Sequence, residues 1–132
     1  GNVVCMNAQN GRLVWNAKVD AVTGPVADGR LVYEVDDASR IHAFNRQNGR
    51  EAWVNESFLY RSASAPIRVG TSLAFGDYEG NITFLDPATG TPVARTKLSG
   101  AVTTPAAQYG YGAVFQTVEG DVAYVVEGAD SE

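Results

Sequence analysis

The sequence predicts an all-β fold, a partial arc of a β-propeller built from four-stranded antiparallel blades. Three observations carry that prediction. One pattern recurs: an apolar residue, an Asn or Asp, three further residues, a Gly, and an anchor four positions later. It runs over Met6–Trp15, Phe44–Trp53 and Leu85–Ala94, with Gly11, Gly49 and Gly90 spaced 38 and 41 apart. A period near 40 points to a propeller or a similar repeat array. Short segments rich in Val, Leu, Tyr, Phe and Thr recur throughout, each bounded by Gly, Asn, Asp or Pro, as antiparallel strands are. Finally, no stretch of eleven residues carries a helical apolar stripe, so essentially no helix is expected.

Thirteen strands follow. The first two are Val3–Asn7 and Arg12–Val19. Gly24–Ala27, Arg30–Val35, Arg40–Asn45 and Glu51–Glu56 make a set of four. Ala65–Val69, Ser72–Gly76, Asn81–Asp86 and Pro92–Leu98 make a second four. Pro105–Gln108, Gly112–Thr117 and Asp121–Val126 make a last three. This grouping divides the chain into the outer two strands of one blade (1–20), a complete blade (21–57), a second complete blade (58–99), three strands of a last blade (100–127) and an acidic tail (128–132).

The three later sets open on small residues around a proline: Thr23-Gly24-Pro25, Ser64-Ala65-Pro66 and Thr103-Thr104-Pro105. Such strands suit the crowded innermost position, and a proline at a strand start removes no needed ladder donor. Asp28-Gly29, Val69-Gly70 and Tyr109-Gly110 then turn into the second strand. Asp-Gly predicts a two-residue hairpin with positive φ at both central positions.

The recurring motif falls on the turn from third to fourth strand. The side chain of Asn7, Asn45 or Asp86 is expected to accept a backbone N–H two residues on. Gly11, Gly49 and Gly90 supply a positive φ in a bulge. Trp15 and Trp53 project from the fourth strand as plates between neighbouring blades, with the indole N–H reaching a carbonyl. This makes the tryptophans structural rather than ligand-stacking.

Composition excludes several functions. Ten Lys and Arg against fifteen Asp and Glu give a net charge of −5, which argues against a nucleic-acid binder. Cys5, the only cysteine, excludes an internal disulfide and lies in an apolar run as an inert thiol. No apolar leader stands upstream of it, and Val4 occupies the place where lipid-acylation sites carry a small residue. His42 is the only histidine and alternates on a strand, so a histidine-based metal site or a Ser-His-Asp triad within this chain has no other histidine to draw on. Asp36-Asp37 reads as a solvated turn pair rather than a metal site. Asn55 and Asn81 begin glycosylation-type sequons that fit chance matches. The glycines never form a phosphate loop before a helix. No catalytic, cofactor or metal residue is expected. One stretch departs from turn chemistry: Phe58, Leu59, Tyr60 and Arg61 join two blades. They either fold back over the blade or contact a partner, because aromatic residues and arginine concentrate in interface hot spots.

The repeated Asn/Asp-x-x-x-Gly-x-x-x-Trp turn resembles the tryptophan-docking repeat of pyrroloquinoline-quinone-like (PQQ-like) propellers. Gly76–Asp86 with Gly90–Ala94, and Thr104-Pro105 leading to Gly120–Val126, resemble the closing blades of the BamB family. That resemblance covers essentially the whole chain. It implies an eight-bladed ring at the periplasmic face of a Gram-negative outer membrane, held there by a lipid anchor. It also implies a non-catalytic, cofactor-free scaffold of the outer-membrane β-barrel assembly (BAM) complex. The partners implied are the periplasmic (POTRA) domains of BamA and unfolded outer-membrane proteins. Two departures stand out: Ala94 replaces the tryptophan in the third copy, and the fourth copy stops without Gly or Trp. The arc is therefore expected to be a piece of a longer protein, with open strand edges completed by another chain or by self-association. A monomeric, cooperatively melting 132-residue chain would contradict this.

The alternatives are a piece of a quinone-dependent dehydrogenase, or of another propeller-repeat binding protein. The dehydrogenases of the superfamily need calcium, a vicinal disulfide and aromatic stacking around the cofactor, and one cysteine cannot supply the disulfide.

Overall fold

The computed structural model describes residues 1–127, so the tail at 128–132 lies outside the described residues. Thirteen strands form in chain order: β1 (Asn2–Met6), β2 (Leu13–Lys18), β3 (Val26–Ala27), β4 (Leu31–Val35), β5 (Ile41–Asn45), β6 (Glu51–Asn55), β7 (Ile67–Val69), β8 (Ser72–Gly76), β9 (Asn81–Leu85), β10 (Pro92–Lys97), β11 (Ala107–Tyr109), β12 (Gly112–Gln116) and β13 (Val122–Val126). They build antiparallel sheets of two, four, four and three strands, each a simple meander: β1-β2, β3-β4-β5-β6, β7-β8-β9-β10 and β11-β12-β13. No helix occurs among the described residues. Each strand lies within two residues of its expected bounds. The largest offsets are at β3, β7 and β11, where ladder pairing begins only after Pro25, Pro66 and Pro105.

Alternation along each strand sends side chains to both faces of a sheet, and each interior face is mostly apolar. The sheets therefore stack face to face. Trp15, Ala17 and Val19 pack with Phe44, alongside half-buried Val3, Cys5 and Val32. Leu31, Tyr33, Val35, Ile41 and Ala43 of the second sheet meet Leu73, Phe75 and Leu85 of the third. Ile67, Val69, Ala74 and Ile82 of the third meet Val102, Ala113 and Phe115. Cys5 is a free thiol within the first of these layers.

The turn at Asp28-Gly29 differs from expectation. Gly70 and Gly110 adopt positive φ, both at 58°, but Gly29 does not. Asp28 closes the turn with its side chain instead: Oδ1 accepts the N–H groups of Arg30 and Leu31, each at 2.8 Å. Its Oδ2 accepts the Tyr33 hydroxyl at 2.5 Å and Arg68 from the next sheet at 2.7 Å. The aspartate thus does here what a left-handed glycine does elsewhere. A paired measurement separates the two solutions. Gly29→Ala, with open space around it, is expected to change stability by less than about 1 kcal/mol. Gly110→Ala is expected to cost about 1–2 kcal/mol, because its left-handed φ penalises a Cβ. Urea midpoints of the two variants check this, and equal losses would refute it.

Candidate functional site

The three motif copies fold alike. The N–H of Asn7, Asn45 and Asp86 donates to the carbonyl five residues on, at 2.8, 2.7 and 2.8 Å. The N–H of Gly11, Gly49 and Gly90 donates back to that Asn or Asp carbonyl, at 2.8 Å in each copy. The Asn or Asp Oδ1 accepts the N–H of Gln9, Gln47 or Ala88 at 2.8, 2.8 and 2.9 Å. The glycines hold φ of 73°, 75° and 74°. The register shift lies later than expected. Its extra residue is Val14, Ala52 or Val93 on the returning strand, not the glycine, which belongs to the turn itself. One extra residue bends and twists the strand, and the anchor residue follows it directly.

Each tryptophan reaches the turn of the next sheet. Trp15 Nε1–H donates to the Arg46 carbonyl at 2.7 Å, and Trp53 Nε1–H to the Pro87 carbonyl at 2.9 Å. The ring lies over the glycine of that turn: a Cβ on Gly49 would sit 2.6 Å from the Trp15 ring, and one on Gly90 2.4 Å from the Trp53 ring. The glycines therefore serve twice, for their φ and as bare seats. Sequence reasoning found the first role and missed the second. The available signal was that each tryptophan is followed by another motif glycine, at 34 and 37 residues.

The third copy inverts large and small. Trp53 pairs across the ladder with Ala43, whereas Ala94 pairs with Phe84. The exchange leaves a cavity of about 220 Å³ lined by Val69, Ser72, Phe84, Ala94, Val126 and Glu127.

The structure separates the residues of the candidate contact loop. Phe58 is buried at 7% exposure, edge-to-face on Phe75 with ring centroids 4.9 Å apart. It belongs to the layer between the second and third sheets, so it is withdrawn as a contact residue. Arg61 is half-buried and donates to Glu79 Oε1 at 2.6 Å, with Asp77 Oδ2 at 3.5 Å. Leu59 and Tyr60 remain outside, Tyr60 at 79% exposure. Tyr60 holds φ 61°, a left-handed conformation that costs a non-glycine residue about 1–3 kcal/mol. Its N–H is fixed to the Ala38 carbonyl at 2.9 Å. Ser39 and Ser62, at φ 66° and 53°, share this conformation, and all three border one groove. The groove measures about 630 Å³ and includes Thr23, Asp37, Ser64, Thr103 and Pro105. The proline-led starts of the inner strands thus come together with the Tyr60 turn.

Beneath the groove lies a polar hub that sequence reasoning did not find. Asp36 is buried at 3% exposure rather than solvated, while its neighbour Asp37 is exposed. Its carboxylate accepts the N–H groups of Ala38 and Arg40 at 2.9 Å, Arg40 Nε at 2.7 Å, and lies 2.8 Å from His42 Nε2. His42 Nδ1 is 2.7 Å from Glu51. Burial alone would raise the Asp36 pKa, but hydrogen bonds from His42, Arg40 and the backbone prevail and bring it down to about 2. Glu34, at 1% exposure, accepts the Thr23 hydroxyl at 2.7 Å, and burial pushes its pKa up. Counting from the shared turn at Asp36, Asp77 and Thr117, Glu34 aligns with Phe75 and Phe115. That charge at an otherwise aromatic position was the legible signal. No group of three metal-ligating side chains suited to an ion occurs among the described residues.

Comparison with known proteins places this architecture. The family model described as "Outer membrane protein assembly factor BamB" matches residues 1–55. The BamB of Shewanella oneidensis is 35% identical over 98 residues, 74% of this chain and 25% of that protein. The chain belongs to the BamB family. The family's Bordetella pertussis member is 31% identical over 127 residues, which cover 95% of this chain and 33% of the relative. The crystal structure of BamB from Moraxella catarrhalis superposes with a TM-score of 0.89, covering 94% of this chain and 37% of that one, at 23% identity. The chain thus spans about a quarter to a third of the length of the BamB-family relatives it matches.

Proposed function

We propose that this chain is part of a non-catalytic scaffold subunit for the assembly and insertion of outer-membrane β-barrel proteins. In this proposal it works at the periplasmic face of the outer membrane, as part of a lipid-anchored protein. Its partners are the periplasmic POTRA domains of BamA and unfolded outer-membrane proteins. Its mechanism is presentation: blades latched by tryptophans hold a few side chains at fixed positions for a partner to engage.

The observation that best supports this reading is the Tyr60 turn. The backbone that presents this aromatic side chain, 79% exposed, is strained into φ 61° and tied to Ala38, so its Cα position is set before a partner arrives. Pre-ordering lowers the entropy lost on association. Leu59 and the groove beside Tyr60 extend the same surface. With the complete protein, Tyr60→Ala is expected to weaken binding to a soluble BamA periplasmic fragment about tenfold, with the melting temperature unchanged or raised. Unchanged affinity would remove Tyr60 from the interface. Absence of any binding by the unsubstituted complete protein would remove BamA as the partner.

A further inference from the structure

A second surface lies on the outer strand β10. It ends the third sheet, pairs with β9 alone, and is exposed at all six residues. The corresponding β2 and β6 are partly covered, β2 burying Trp15 and Ala17 and β6 half-burying Trp53. Beside β10 a cavity of about 320 Å³ is lined by Ser57, Phe58, Arg61, Thr83, Pro92, Ala94 and Arg95.

Thr83 is the unusual member. It is 3% exposed, and its hydroxyl has no hydrogen-bond partner. A buried hydroxyl without a partner costs about 1–3 kcal/mol. The preceding blade shows how this position is otherwise satisfied. Counted from the shared turn, Thr83 aligns with His42, which lies between Asp36 and Glu51. In the third blade Asp77 is engaged by Arg61, Asn81 and backbone N–H groups. The residue aligned with Glu51, two positions after the motif glycine, is Pro92, which has no acceptor to offer. The carboxylate that completes the second blade is missing from the third, and the hydroxyl it would meet remains.

We propose that β10 and this cavity receive an extended acidic segment of a partner protein, added to the sheet edge with a glutamate side chain in the cavity. Each part of the site fits one part of that ligand. The free edge of β10 supplies backbone hydrogen bonds, as in strand addition to other exposed edges. The Pro92 ring, on the same face as Thr83 and Arg95, matches the methylenes of glutamate. The Thr83 hydroxyl donates to its carboxylate, and Arg95, with no ion pair among the described residues, supplies the countercharge. β10 carries Arg95 and Lys97 and no acid, although the chain as a whole is at −5, so an acidic segment is drawn to this edge.

The test uses the complete protein and a labelled ten-residue peptide alternating Thr and Val with one central Glu, followed by fluorescence anisotropy. The Glu peptide is expected to bind at least about tenfold more tightly than its Gln and Lys counterparts, with affinity falling as salt rises. Thr83→Val keeps the shape and removes the hydroxyl. It is expected to lower affinity about fivefold or more while the melting temperature holds or rises, and Thr83→Ser is expected to restore binding. Equal binding of the three peptides would overturn the proposal. So would a Thr83→Val variant that gains stability yet binds the Glu peptide unchanged, since the hydroxyl would then serve no ligand. The outcome is independent of the Tyr60 measurement, which probes a different partner fragment.

Discussion

Gly90→Ala is expected to destabilise the protein by about 2–6 kcal/mol, far more than an exposed turn residue ordinarily costs. Two effects add. The alanine must hold φ 74°, which costs about 1–3 kcal/mol outside glycine. Its Cβ must also find room 2.4 Å from the Trp53 ring, and overpacking of that kind costs a further 1–3 kcal/mol or so. Gly11→Ala is the control, with φ 73° and no atom within 4 Å of the added methyl, so it should show only the first effect. A double-mutant cycle sharpens the test. Trp53→Ala alone should be costly, because it removes a plate and its hydrogen bond to Pro87. In its background, Gly90→Ala should fall to about the Gly11→Ala value. Denaturant midpoints of the unsubstituted protein and these four variants decide it. If Gly90→Ala costs no more than Gly11→Ala with Trp53 present, the glycine is not a seat.

Asp36→Ala should cost about 3–5 kcal/mol, the usual consequence of removing one member of a buried, hydrogen-bonded charge cluster. Two backbone N–H groups, Arg40 and His42 would lose their shared acceptor. Asp36→Asn keeps the shape and tests the charge. Because the Asp36 pKa is about 2 in the folded protein against an ordinary 3.8, its stabilisation is complete above about pH 4. It is lost as pH falls toward 2, through roughly 2 kcal/mol. Glu34 acts in the opposite sense. Its folded pKa is raised by burial, so acidification favours the native state at that site. Urea midpoints from pH 6 down to pH 2 should therefore fall steeply for the unsubstituted protein in the lowest two units. They should fall less steeply for Asp36→Asn, where only the other lowered carboxyls, Asp20, Asp28 and Glu127, still titrate. Parallel curves would mean that the hub does not hold the Asp36 charge.

What the sequence disclosed and what it hid divide along a physical line. Strands, turns and motif hydrogen bonds are local: Val-, Leu-, Tyr- and Phe-rich runs between turn residues fix β4 and β5, and a carboxamide two residues from an N–H closes the turn at Asn45 wherever the blade sits. The bare seats at Gly49 and Gly90 depend on residues 34 and 37 positions away, which no local pattern reports. Phe58 illustrates the same limit. An apolar loop residue can face either way, and only the nearby Phe75 ring determines that it turns inward. At Asp28-Gly29 the local signal itself misled, because aspartate offers a second way to close a tight turn. Asp36 reads as half of a solvated turn pair, and Glu34 stands out only when the blades are aligned and the acid is seen where phenylalanine stands elsewhere.

The large-for-small exchange at Ala94 and Phe84 has a mechanical consequence. The first two joints of the stack are each fastened by an indole pressed onto a bare backbone and bonded to it, and the third joint has no such fastener. Shear or heat applied along the stack meets its least resistance there, so the last three strands form the leaf that peels first. A protease added near the melting temperature should cut first among residues 98–106, before the blades behind them loosen.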